Sequence, residues 1–80
     1  MEIETKIRNF ILESYLFTDD QSELNNEDSF LDKGIIDSTG ILELIFFLEE
    51  AFSVVVDGEE MVPENLDSVV NVIKFVESKI

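Results

Sequence analysis

Apolar side chains recur at helical spacing in three separate stretches of this chain, and no two segments read as strands that could pair. Ile3, Ile7, Phe10 and Ile11 stand at i, i+4, i+7 and i+8, which predicts a helix from Glu2 to about Phe17 with Arg8, Asn9 and Glu13 off the stripe. Ile41, Leu44, Ile45, Leu48 and Phe52 predict a second helix over Ser38 to Phe52, capped by Asp37 or Ser38. Val69, Val72, Ile73, Val76 and Ile80 predict a last helix from about Asp67 or Ser68 to Lys79. The expected fold is therefore all-α: a small bundle of three main helices plus one short helix, with a long loop between the first and second helices.

The connections carry further information. Residues 18–37 are rich in Asp, Asn, Ser and Glu up to Ser29, which are turn and cap formers. Phe30, Leu31, Ile35 and Ile36 then break the polar run, so this loop is expected to lie across the bundle with some of those side chains buried. Gly34 suits a backbone turn that a Cβ would hinder. Ser53-Val54-Val55-Val56-Asp57 has strand propensity but no partner, and reads as an extended link. Gly58 to Val62 is expected to make one short helical turn ending near Pro63. Ile41, Leu44, Ile45, Val56, Val72 and Ile73 are candidate core residues.

Eighty residues amount to one domain, and a hydrophobic content of 45% allows a small core. Nineteen acidic residues face five basic ones, for a net charge of −14. Such a surface repels nucleic acid and anionic lipid heads and favours basic partners, and it opposes self-association, so a monomer is expected. Seven phenylalanines and many branched aliphatic residues argue against disorder. The charged start is not a signal peptide, and no apolar run approaches the ~20 residues that span a bilayer. With no cysteine to suggest an oxidising compartment, the expectation is a cytoplasmic protein without membrane insertion.

Most catalytic chemistry is excluded by what is missing. Without histidine or cysteine there is no Ser-His or Cys-His pair and no imidazole–thiolate zinc site. The three glycines lie too far apart for a phosphate-cradling loop. A calcium loop begun at Asp19 would place Leu24 where glycine is needed. Paired carboxylates abound, but at this density pairs arise by chance. The chain is expected not to be an enzyme.

What remains is Asp37-Ser38, where an apolar loop meets a helix that has no Lys or Arg from Ser38 to Phe52. Alone, Asp-Ser ahead of an apolar helix is an ordinary cap. In context, Gly34-Ile35-Ile36-Asp37-Ser38 resembles the modification site of acyl carrier and peptidyl carrier proteins, whose core is often Gly-x-x-Asp-Ser-Leu. Glu43-Leu44 and Leu48-Glu49-Glu50-Ala51-Phe52 resemble that family's second helix, Phe30 and Leu31 its approach to the site, and Pro63-Glu64-Asn65-Leu66-Asp67-Ser68 the ending of several stand-alone carriers. The likeness covers essentially the whole chain.

This resemblance implies a carrier domain over residues 1–80 with Ser38 bearing a covalent 4′-phosphopantetheine arm and Asp37 supporting it. The arm would hold acyl or aminoacyl groups as thioesters, as in fatty acid or lipid biosynthesis. Implied partners are a phosphopantetheinyl transferase, a loading ligase for acyl or aminoacyl groups, and downstream acyl-processing enzymes. Candidate partner-binding residues are Thr39, Leu42, Glu43, Phe46, Glu49 and Glu50 on the second helix. Phe46 is expected to be partly exposed; Phe47, off the main stripe on the other side, is given no role. The family most often has leucine after the serine, and this chain has Thr39-Gly40. That departure bears on recognition by the enzymes of general fatty acid synthesis, not on the modification. Gly40 in the first turn costs ~1 kcal/mol relative to alanine, and its bare backbone suggests close approach of a partner or the arm. Asn65-Leu66-Asp67 hints at a specialised carrier, including those that carry amino acids. The alternative function is an acidic helical interaction module that is never modified.

Overall fold

The computed structural model describes residues 2–80. Three longer helices and one short one form the expected bundle: α1 (Glu2–Ile11), α2 (Ser38–Phe52), α3 (Pro63–Leu66) and α4 (Val69–Lys79). Its core lies between α1, α2 and α4, closed by loop residues. Ile7, Ile11 and Leu12 meet Leu44, Ile45 and Leu48 of α2, with Val69, Val72, Ile73, Phe75 and Val76 of α4. Of the candidate core residues, Ile41 is only half-buried, because it faces a groove beside Ser38.

The helix predicted to about Phe17 changes pitch before it ends. Leu12–Leu16 form a π turn, and Phe17 stops it in the left-handed region at φ 54°. The wider turn rotates Tyr15 toward α2, where its hydroxyl lies 3.0 Å from the Gly40 carbonyl and 3.1 Å from a Glu43 carboxylate oxygen. No periodicity count separates a π turn from an α turn within one helical stretch.

The long loop is stitched down along its length. The Arg8 guanidinium donates to the carbonyls of Gln21 and Leu24 at 2.8 and 2.9 Å, and to the side chains of Gln21 and Asn26. The Asn26 carbonyl accepts from the Val70 amide at 3.0 Å, tying the loop to α4. Phe30 and Ile36 are buried, Ile35 is half-buried and Leu31 is exposed. Leu24, which the polar run hid, is buried as well. A tight turn over Phe30–Ile36 needs Gly34 at φ +68°, where a Cβ would strain the backbone.

Ser53 ends α2 in the left-handed region at φ 56°, and the link that follows it to Asp57 pairs, among the described residues, with no strand. Val54 and Val56 point into the core while Val55 is exposed. The turn expected over Gly58 to Val62 is corrected: a 3₁₀ turn covers Gly58–Glu60, and Pro63 begins α3 instead of ending a helix. Proline lacks only an amide that the first helical position leaves unpaired anyway, and its φ is already helical. Among the described residues, no helix is long and apolar enough to cross a membrane.

Candidate functional site

Asp37 and Ser38 stand where the stitched loop becomes α2. Asp37 is extended (φ −90°, ψ −178°), and its carboxylate accepts from the Gly40 amide at 2.7 Å. Asp37, not Ser38, is therefore the cap, and Ser38 is the first helical residue, exposed and not engaged in capping. The first helical amides have no carbonyl in a preceding turn, so positive charge concentrates beside the Ser38 hydroxyl. A helix terminus of this kind favours a phosphate group.

Gly40 makes this junction compact. A Cβ placed there would stand 2.8 Å from Ile36 Cγ2, 3.2 Å from the Tyr15 ring and 3.3 Å from an Asp37 oxygen. Gly40 is itself buried. The close approach inferred from its missing side chain is thus internal: α1 and the loop crowd against the first turn of α2. Burial, first, and then the bonded carboxylate of Glu43 push the Tyr15 hydroxyl up to about 12. Tyr15 consequently stays protonated and able to donate at neutral pH.

On one side of Ser38 runs an apolar groove of about 270 Å³, walled by Leu31, Ile41, Leu42, Ile45, Met61 and Leu66. Asp67 also lines it and latches the loop: its carboxylate accepts from the Leu31 amide at 3.0 Å and from the Ser29 hydroxyl, and its carbonyl from the Phe30 amide at 2.7 Å. By sequence Asp67 is a plausible cap for α4, but Ser68 takes that place, accepting from the Asn71 amide, because the Asp67 carboxylate is engaged with the loop. Two adjacent cap formers were the available signal that one had other work.

The chain is 38% identical to the D-alanyl carrier protein of Streptococcus suis (strain 05ZYH33) over 76 residues, which are 95% of this chain and 92% of that protein. It is 39% identical over 62 residues to the D-alanyl carrier proteins of Streptococcus pyogenes serotype M5 (strain Manfredo) and serotype M1, covering 78% of this chain and 77% of each. This chain belongs to the D-alanyl carrier protein family. No family model matches it.

For this D-alanyl carrier family member, the remaining site candidates separate by environment. Thr39, Leu42, Glu43, Phe46 and Glu50 are exposed on α2, with Phe46 at 65% exposure. Glu49 is half-buried and accepts from the Val56 amide at 3.0 Å, so one carboxylate oxygen pins the extended link. Phe47 stacks on Phe10 with ring centres 4.2 Å apart and planes 10° from parallel, and meets Phe52 edge-on at 6.2 Å. Phe47 and Phe52 are half-buried, packed at once on each other's rings and against the aliphatic core. Among the described residues, no group of acidic side chains is placed to hold a metal ion.

Proposed function

We propose that this chain carries D-alanine as a thioester on a 4′-phosphopantetheine arm attached through the Ser38 hydroxyl oxygen. The carrying observation is the exposed Ser38 hydroxyl at the first position of a helix whose cap is already supplied by Asp37. The names of the relatives supply the aminoacyl group, and the Thr39-Gly40 departure agrees with a specialised carrier.

The residues present fit a phosphodiester-linked arm. Ser38 has a free approach from solvent, the helix terminus favours the phosphate, and the apolar groove starts at the same side chain. In the loading step a transferase directs the Ser38 oxygen at the β-phosphorus of coenzyme A; the new O–P bond forms as the pyrophosphate bond breaks, adenosine 3′,5′-bisphosphate leaves and the hydroxyl proton passes to the transferase. When bound, the arm supplies the thiol that a ligase charges. Ser38 anchors, Asp37 holds the helix start in shape, and the acidic face of α2 steers basic partner enzymes by fast, salt-sensitive association. The chain itself catalyses nothing in this scheme, and its lack of histidine and cysteine is no handicap.

The test is intact mass. The wild type gains one phosphopantetheinyl group from coenzyme A, magnesium and a broad-specificity transferase, whereas Ser38→Ala gains none. Adding D-alanine, ATP and a D-alanine-activating ligase then adds one alanyl group. Loading without alanyl transfer, but with transfer of fatty acyl groups, would replace D-alanine with a fatty acyl cargo. No loading of the folded wild type would leave an unmodified interaction module.

A further inference from the structure

The π turn at Leu12–Leu16 is a rare feature that inserts a residue into a helix and re-aims the side chains on it. Here the re-aimed side chain is Tyr15. Phe10 braces its ring edge-on, with centres 5.8 Å apart, and Phe10 is itself stacked on Phe47 of α2. The phenol is thus held against the turn of α2 that carries Ser38.

That turn is weak by its own composition. The first amides of a helix lack partners in a preceding turn, and Gly40 removes ~1 kcal/mol of helix propensity relative to alanine. Ser38 is exposed, so the backbone of the turn sets the direction in which its hydroxyl is presented. Two side chains hold that backbone at residue 40. The Asp37 carboxylate accepts from the Gly40 amide at 2.7 Å, and the Tyr15 hydroxyl lies 3.0 Å from the Gly40 carbonyl. This hydroxyl shares one proton between that carbonyl and the Glu43 carboxylate at 3.1 Å, and both acceptors belong to the first half of α2. The missing Cβ makes the approach possible, since a Cβ at Gly40 would stand 3.2 Å from the Tyr15 ring. The residue that weakens the turn is the one that admits its clamp.

We propose that Tyr15 is a positioning residue for the loading of Ser38: by clamping the Gly40 peptide from the end of the first helical stretch, it fixes the turn that presents the attacking hydroxyl to the transferase. The inference rests on the Ser38 attachment read above and adds to it a residue that acts only through Gly40. The bond changes are those already given; Tyr15 exchanges no proton in them, and the Ser38 proton still passes to the transferase. Orientation of a nucleophile carries much of a rate, and a displacement on the order of 1 Å can cost about a hundredfold.

The test loads the full chain in single turnovers, with coenzyme A, magnesium and a rising excess of a broad-specificity transferase, followed by intact mass. Tyr15→Phe keeps the ring and drops the hydroxyl. Val76→Ala, in the core on α4, lowers stability and leaves the Tyr15–Gly40 contact in place. Plain destabilisation shrinks the folded fraction, which raises the transferase concentration needed for half-maximal rate and leaves the maximal rate alone. The expected result for Tyr15→Phe is a fall of about tenfold in the maximal loading rate, with faster amide exchange at Gly40 and Ile41 and unchanged exchange along α4. Val76→Ala retains the maximal rate. Gly40→Ala, which keeps the hydroxyl but displaces the ring, repeats the fall and serves as the test if Tyr15→Phe does not fold. A maximal rate for Tyr15→Phe within about twofold of the wild type, or an equal fall in Val76→Ala, would overturn the positioning role and leave Ser38 as the attachment site. A wild type that folds and takes no arm would overturn the attachment reading, and this proposal with it.

Discussion

Gly40→Ala sets two effects of known size against each other. Alanine in place of glycine improves helix propensity by ~1 kcal/mol. The new methyl, however, would sit 2.8 Å from Ile36 Cγ2, well inside the ~3.5–4.0 Å at which carbon atoms attract. Ile36 is 1% exposed and cannot swing away, and the Tyr15 ring at 3.2 Å blocks the other direction. Overpacking of this kind costs ~1–3 kcal/mol. Taking ~2 kcal/mol lost against ~1 gained, the variant should be less stable by ~1 kcal/mol, a fall of ~4–8 °C in Tm for a domain of this size. Thermal unfolding followed by far-ultraviolet circular dichroism measures it. The near-ultraviolet signal of the lone tyrosine should change too, since that ring is displaced. A Tm that rises by several degrees would refute the argument: Gly40 would then be a simple propensity defect, with no packing role.

Other outcomes follow from the same geometry. Tyr15 is the only tyrosine and there is no tryptophan, so phenolate absorbance reports it alone; its midpoint should lie near 12, and Glu43→Gln should lower it toward the ordinary tyrosine value of ~10. Because the folded value is raised, the stability that Tyr15 contributes is complete below ~pH 10 and is lost as pH climbs through 12, so chemical denaturation across that window should show a decline that Tyr15→Phe lacks. Ser53 ends α2 in the left-handed region at φ 56° and is exposed, so Ser53→Gly should stabilise by ~1 kcal/mol in urea unfolding. Asp67→Ala leaves the Leu31 amide and the Ser29 hydroxyl without their acceptor; it should cost ~1–3 kcal/mol and increase amide exchange over residues 29–36, with little change in the helical circular dichroism.

The helices were legible because each has a face that must be dry. Periodicity located α2 from Ser38 to Phe52 and placed Leu44, Ile45 and Leu48 inward and Phe46 outward. Cap chemistry located its start, because Asp37 acts through a bond to its own neighbour three residues on. The family likeness drew on this stretch together with Phe30-Leu31 and Pro63 to Ser68, each of them a short local run.

Contacts between elements distant in sequence were not legible. Ile41 has the helical spacing of a core residue, yet only the path of α3 leaves it lining a groove. Pro63 reads from sequence as a stop, and the structure makes it a start, with Leu66 of α3 buried. Tyr15 reaches Gly40 across 25 residues, and Asp67 reaches Ser29 across 38. The sequence by itself determined the helical bundle, the acidity of α2 and the Asp37-Ser38 junction, because hydrophobic period, charge and capping act over a few residues. Only the tertiary structure decided what crowds Gly40, that Asp67 latches the loop, and that a groove runs beside Ser38, because those depend on side chains that the chain brings together only when its core closes.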